Sequence, residues 1–211
     1  FGLCGLACAQ AGSYPDHLQG DLGVGVYASK TNVAGQNTET TLLPYGFFDY
    51  QRFFYRIDTL GLKVTPIGYG HLELAARVNV DDQRIRTQAS GPSVTKNTPA
   101  PVGIGSMQIT PIGAFYINIF RDLNKSNGML YEALYFGEID AKKFSVYPQI
   151  GIEHMSKQYA NNYYGLTASE ASSLNETTYN AGASTNPILG LMLEVPLTDH
   201  YIVNFYGKRK W

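Results

Sequence analysis

The chain has 211 residues, of which 16% are charged and 44% are hydrophobic, and its formal net charge is -1. An average soluble domain carries about 25% charged residues, so this chain is poor in charge. The near-neutral balance argues against a nucleic-acid-binding domain, which needs a strongly basic surface.

The first eleven residues are expected to be the end of a signal peptide. They are small or apolar with one exception, and Ala9-Gln-Ala11 fits the small-x-small pattern at which signal peptides are cleaved. We therefore divide the chain into a signal remnant at residues 1–11 and one domain at residues 12–211. The alternative is a lipidated cysteine at Cys8. Both cysteines lie in the remnant, so the domain is expected to have no disulfide and no thiol chemistry.

Short segments in which apolar and polar residues alternate recur along the rest of the chain. A period of two is typical of strands that bury one face. Turn-forming residues such as Gly, Pro, Asn and Asp cluster between these segments. The predicted strands are Leu22–Ser29, Thr41–Phe48, Arg52–Asp58, Leu60–Thr65, His71–Val80, Val102–Thr110, Ala114–Asp122, Met129–Ile139, Phe144–Ser156, Ile188–Leu197 and Tyr201–Trp211.

The segment His71–Val80 shows the pattern most clearly and decides the fold class. Its even positions are all apolar, and its odd positions are polar except for Ala75. Ten residues is about the length that a tilted strand needs to cross a bilayer. No apolar run in the chain has the length of a membrane-crossing helix. The sequence therefore predicts an all-β protein, an antiparallel transmembrane β-barrel of about 12 strands.

The lengths of turns and loops predict the topology of this barrel. We assume that the N-terminus lies in the periplasm and that a turn near Asp58–Leu60 divides residues 52–65 into two strands. All short turns then fall at one end of the barrel and all long loops at the other. Because periplasmic turns are usually short, loops 30–40, 81–101 and 157–186 are expected outside the cell. Bacterial barrels have an even number of strands. The eleven predicted strands therefore imply a twelfth beyond Trp211.

The charged residues of the strands indicate which face turns inward. An arginine or lysine that faces lipid at the membrane midplane costs about 2–4 kcal/mol. The charged faces are therefore expected to line the lumen. His71 and Glu73 share a face as metal ligands would, but no third ligand is evident, and a hydrated pair is preferred. The candidate lumen charges are Arg52, Arg56, Asp58, His71, Glu73 and Arg77.

The stretch 157–186 contains an aromatic, amide-rich segment and a predicted helical turn at Ala168–Leu174. Tyr159, Tyr163 and Tyr164 are the candidates for contact with a glycan or protein outside the cell, because a tyrosine ring offers a rigid apolar surface with a polar tip. The alternative is that these rings only pack at the barrel rim.

The sequence carries no motif for catalysis or for a cofactor. The glycine-rich segment Gly23–Ala28 lacks the helix and the acidic residue of a dinucleotide site, and no serine lies in a Gly-x-Ser-x-Gly elbow. We predict a protein that is not an enzyme and uses no cofactor or metal. The alternative is a Ser/His or Asp/His site at the barrel rim, which would leave no local motif.

Four segments resemble those of a known family. Tyr159–Ala171 resembles the Tyr-x-x-Tyr-Tyr/Phe-Gly-Val/Leu-Thr/Ser-x-x-Glu/Gln-Ala fingerprint of the MipA/OmpV family of outer-membrane proteins. Leu43–Phe54 is similar to the family's Leu-Pro … Tyr-x-x-Gly-Arg-Phe-Phe segment, with Gln51 where glycine is common. Pro148–Gly151 and Lys208–Trp211 also resemble family segments. The resemblance runs in order through nearly the whole domain.

The resemblance implies a barrel in the bacterial outer membrane, surrounded by its lipid and without catalytic residues. The founding member is described as a scaffold that joins a murein lytic transglycosylase to a bifunctional penicillin-binding synthase. Other members are linked to osmotic adaptation, adhesion or antibiotic uptake, and family members usually continue past Trp211 to a final strand. The resemblance thus implies a scaffolding role in the cell envelope, with these two murein enzymes as partners.

Two other functions stay open, namely a narrow pore or uptake barrel for small solutes and a surface adhesin. A lumen plugged by salt bridges favours the scaffold, whereas a continuous wet path favours the pore. A soluble lipocalin-like barrel is the strongest rival to a membrane barrel. Its outer face should be rich in Lys and Glu, and the low charge content argues against it.

Overall fold

The computed structural model describes residues 14–29, 39–78, 84–86, 92–96 and 98–211. The helices in these ranges are α1 (Lys157–Tyr164) and α2 (Ala168–Leu174). Neither of them is long and apolar enough to cross a membrane. The strands are β1 (Gln19–Ser29), β2 (Glu39–Tyr50), β3 (Phe53–Arg56), β4 (Thr59–Ile67), β5 (Gly70–Arg77), β6 (Arg84–Arg86), β7 (Ser93–Thr95), β8 (Pro101–Thr110), β9 (Gly113–Asp122), β10 (Met129–Phe136), β11 (Ile139–Asp140), β12 (Ser145–Met155), β13 (Ser184–Pro196) and β14 (Ile202–Lys210).

Eleven of these strands form one antiparallel meander. Its order is β1-β2-β3-β4-β5-β8-β9-β10-β12-β13-β14, and every neighbouring pair is antiparallel. The short β11 pairs with β12, and β6 and β7 form a separate hairpin. The predicted all-β antiparallel fold with eleven successive strands is confirmed, with bounds that shift by a few residues. The helical turn predicted at α2 is also confirmed, whereas α1 and the β6–β7 hairpin were not predicted.

β3 and β4 are separate strands, as the lengths of the turns and loops predicted. Ile57 and Asp58 form the turn between them, and Ile57 adopts a φ of 58°. A branched side chain is rare in that left-handed region. The Ile57 amide donates to the Gly46 carbonyl and the Val78 amide donates to the Asp58 carbonyl. The turn is therefore tied to β2 on one side and to the end of β5 on the other, which fixes the break.

The barrel has two unlike ends, which we name by their connections. At the turn end, short connections at 51–52, 68–69, 111–112, 137–144 and 197–201 join successive strands. At the loop end lie the β3–β4 turn, the β6–β7 hairpin and both helices. Within the described ranges, both helices and the separate hairpin thus lie at the loop end, and the turn end adds only the two-residue β11.

The sheet curls until strands near its two edges approach each other. The Asn204 side-chain amide on β14 donates a hydrogen bond of 3.3 Å to the Tyr45 hydroxyl on β2. Arg77 on β5 pairs with Glu132 on β10, although two strands lie between them. No ladder joins β1 to β14 in the described ranges, so the sheet is not closed. The twelfth strand stays a prediction.

The two faces of the sheet have the opposite arrangement to that of a soluble protein, because polar side chains face the interior and apolar side chains face outward. Glu73 and Asn118 point into the lumen and are each 1% exposed, whereas Val24, Leu74 and Leu189 on the outer wall are 73%, 52% and 52% exposed. Alternation along each strand produces both faces from one sequence pattern. A polar interior inside an apolar wall is the arrangement of a transmembrane barrel.

Candidate functional site

Charged side chains from β2, β3, β4 and β5 form the first of three ionic groups in the lumen. Lys63 Nζ lies 2.8 Å from Asp49 Oδ2, Arg56 Nη1 lies 3.1 Å from Glu73 Oε1, and Arg56 Nη2 lies 3.6 Å from Asp49 Oδ1. The antiparallel register sets Lys63 opposite Glu73. None of the four side chains is more than 15% exposed. Each charge is therefore compensated by a neighbouring strand rather than by bulk water.

The second group bridges the lumen between β5 and β10. Arg77 pairs with Glu132, and its Nε lies 3.7 Å from Asp58 Oδ2. Asn118 donates a hydrogen bond to Glu132, and the Arg77 guanidinium lies 4.9 Å from the ring centre of Phe120. The side chains of Arg77 and Glu132 are 8% and 4% exposed, whereas Asp58 is 45% exposed. Asp58 therefore sits at the rim of the network rather than inside it.

The third group lies between β12 and β14. Lys210 Nζ is 2.6 Å from Glu153 Oε2, and the Tyr206 hydroxyl donates a 2.8 Å hydrogen bond to Gln149. Sequence reasoning missed most partners in the three groups, although each stands in a strand where period-two alternation marks the inward face. The missed residues are Asp49, Lys63, Glu132, Glu153 and Lys210.

Arg52 does not join these groups, contrary to the expectation that it lines the lumen. It is exposed in the turn before β3, donates to the Val64 carbonyl at 3.1 Å, and lies 4.8 Å from the ring centre of Tyr14. The reason is that β3 begins only at Phe53, so the inward-outward alternation does not reach Arg52. Arg52 covers the turn end of the barrel.

His71 is buried as expected, but the structure does not couple it to Glu73. Its ring lies 5.1 Å from the ring of Tyr14, and it is 7% exposed. Its Nε2 has no hydrogen-bond partner in the described ranges. The Glu73 carboxylate is occupied by Arg56. The pair therefore acts as two separate lumen residues.

Helix α1 closes the loop end with aromatic rings that point inward. Tyr159 and Tyr163 are 4% and 7% exposed, their rings lie 4.9 Å apart, and Tyr164 packs against them. These two rings therefore do not offer the external contact surface that the sequence suggested, because the helix turns them into the barrel. We call Tyr159, Ala160 and Tyr163 the aromatic plug. It belongs to a cluster with Phe54, Ala75, Phe120, Leu130, Met155 and Ala181.

Local contacts explain why α1 begins where it does. The Ser156 hydroxyl caps the helix by accepting a hydrogen bond from the Tyr159 amide. Gly128, in the β9–β10 loop, lets the helix approach closely, since a Cβ there would lie 2.3 Å from the Tyr159 nitrogen. Asparagine and tyrosine are modest helix formers, so burial of the plug has to support this helix.

Helix α2 is tied to the strand hairpin by an ion pair. Thr167 and Glu170 form a capping box, and Lys96 Nζ lies 2.6 Å from Glu170 Oε2. Burial alone would raise the pKa of Glu170, but the hydrogen bonds from Lys96 and Thr167 outweigh it and lower the pKa. The carboxylate is therefore held in its charged form, and it joins α2 to the segment after β7.

The family described as "MltA-interacting protein MipA" matches residues 22–211, which is most of the chain. The chain belongs to the MipA family. The predicted family membership is confirmed.

Two relatives of this MipA-family chain carry a membrane designation. The "Putative outer membrane protein YiaT" of Escherichia coli (strain K12) is 22% identical over 186 residues, covering 86% of this chain and 76% of the relative. The protein of the same name from Escherichia coli O157:H7 matches to the same extent. No solved structure matches. The predicted location is confirmed: the chain is an outer-membrane protein.

Proposed function

We propose that this MipA-family barrel is a structural scaffold of the cell envelope and not a pore. The observation that supports the proposal is the content of the lumen. Three ionic groups and the aromatic plug lie inside it within the described ranges, and the charges of these groups are paired with one another. A conducting barrel needs a wet path whose charges face water. A lumen occupied by salt bridges and aromatic rings favours a rigid structural barrel over a conducting pore.

The proposed partner is a murein lytic transglycosylase, because the family description names interaction with MltA. A penicillin-binding synthase is the proposed second partner, from the resemblance stated above. With the short turns in the periplasm, the turn end is the surface that meets these enzymes. Its tips carry Tyr69, Ile112 and Tyr201, which are 62%, 72% and 71% exposed. Exposed aromatic and aliphatic tips of this kind suit a protein contact.

A pull-down from cross-linked envelopes tests the scaffold. The tagged protein should capture a murein lytic transglycosylase, and the double substitution Tyr69→Ser with Tyr201→Ser should lower that capture several-fold. Tyr179→Ser is the matched control, because Tyr179 is also exposed, at 56%, but lies at the loop end. Capture that the turn-end substitutions leave unchanged, or that Tyr179→Ser abolishes, would contradict the proposed surface.

A further inference from the structure

The outer wall contains an apolar groove that the lumen-based function does not use. It has a volume of about 240 Å³ and runs over β9, β10 and β12. Ala133 lies between the longer side chains of Phe115, Ile117 and Ile150, so the wall dips at this small residue, and the backbone of Gly151 lines the groove beside it. A Cβ at Gly151 would point into the lumen and collide with the Leu134 side chain. Packing on the lumen side therefore favours glycine at this position.

A polar cluster lies on the same three strands, displaced toward the loop end. Tyr131 precedes Ala133 by two residues on the same face of β10, about 7 Å along the strand. Tyr131 is paired in register with His154 on β12. Arg121 on β9 lies opposite Met129, one further step toward the loop end. The groove and the cluster therefore form one continuous strip of the outer wall.

The chemistry of the cluster points to an anion. Arg121 is exposed on a wall face whose preceding outward residues, Ile117 and Ile119, are apolar. A guanidinium on the lipid-facing wall is costly unless it reaches the headgroup region. His154 is held in place by a 2.7 Å hydrogen bond to Thr185 and by the Tyr131 ring at 5.9 Å. A guanidinium, an imidazole and a phenol together suit a phosphate group.

We propose that this strip binds one phosphate-bearing lipid of the membrane. One acyl chain lies in the groove over Ala133 and Gly151, and the phosphate meets Arg121, Tyr131 and His154 at the loop end. An apolar channel that leads into a cationic, hydrogen-bonding head matches the two halves of such a lipid in order. The site lies outside the barrel, so it holds whether or not the lumen conducts and whichever murein enzyme binds.

Native mass spectrometry with two lipid probes tests both halves separately. The folded protein in a non-ionic detergent is titrated with phosphatidylglycerol and, in parallel, with an uncharged diacylglycerol of the same acyl chains. We expect Arg121→Ala to weaken phosphatidylglycerol binding about tenfold and leave diacylglycerol binding unchanged, because only the phosphate contact is lost. We expect Ala133→Phe to weaken both lipids, because the ring fills the groove.

Two substitutions elsewhere on the outer wall are the matched controls. Arg209→Ala removes an exposed arginine of β14, and Ala28→Phe adds a ring to an exposed alanine of β1. Both should bind the two lipids as the wild type does. The proposal fails if Arg121→Ala behaves like Arg209→Ala, or if Ala133→Phe behaves like Ala28→Phe. Any variant that does not show the gel shift of a folded barrel is replaced by Arg121→Gln or Ala133→Leu.

Discussion

At the scale of single residues, ion pairs between oppositely charged side chains stabilise the interior of the barrel. Arg56, Glu73 and Arg77 were predicted to face inward, because a charge on the lipid face is costly and strands alternate with a period of two. Their partners were harder to predict. Arg77 and Glu132 are 55 residues apart in sequence and meet only because the sheet curls. Local alternation determines which way a side chain points, whereas curvature determines what it meets.

The Arg77 pair gives the first prediction. We expect Arg77→Ala to lower the free energy of unfolding by about 3–5 kcal/mol, because Glu132 is left as a buried and uncompensated charge. Lys157→Ala, which removes an exposed cation of α1, should change it by less than about 1 kcal/mol. Urea unfolding in lipid vesicles measures both. Equal effects would indicate a water-filled lumen, where charges need no partner.

At the scale of the element, the strands were predictable and α1 was not. Each long strand carries its own alternation of polar and apolar residues, as β5 does. The capping box of Thr167 and Glu170 is a sequence pattern that marks the start of α2. The sequence of α1 contains two asparagines and three tyrosines, which a local interpretation assigns to an aromatic rim. Its helix depends on the Ser156 cap and on burial of the plug, and burial is a tertiary property.

The aromatic plug provides the second prediction. The double substitution Tyr159→Ser with Tyr163→Ser should lower the free energy of unfolding by several kcal/mol, because two large buried side chains are lost from one cluster. Surface adhesion of cells should be unchanged. Heat denaturation followed on a detergent gel, together with an adhesion assay, separates the two roles. If adhesion is lost and the melting temperature is unchanged, the tyrosines make external contacts and the plug role is contradicted.

The ion pair between Lys96 and Glu170 gives a pH prediction for α2. Because the pKa of Glu170 is lowered in the folded protein, its contribution to stability is present at neutral pH. It is lost as the pH falls below the ordinary range of a glutamate, about 4.3, and through the lowered pKa. The protection of the amides across residues 168–174, measured relative to their intrinsic exchange rates at each pH, should therefore fall on acidification. In Glu170→Gln the exchange should be fast at neutral pH, and a variant as well protected as the wild type would rule out this role.

At the scale of the whole molecule, two sequence arguments determined most of the fold. Alternation predicted eleven strands, and the lengths of turns and loops predicted the break now seen at Ile57 and Asp58. Neither argument could predict what fills the lumen, because that depends on how strongly the sheet curls and on a helix that returns into it. The paired charges and buried rings inside the lumen are therefore the structural features on which the proposed scaffold depends most.

Conductance across a planar lipid bilayer is the measurement that separates the proposed scaffold from a pore most directly. The purified, folded protein should insert without steady ion channels at neutral pH, because paired charges and the aromatic plug leave no continuous wet path. A known porin inserted into the same membrane shows that channels would be seen. A stable, voltage-independent conductance from the wild-type protein would contradict the scaffold and establish the pore.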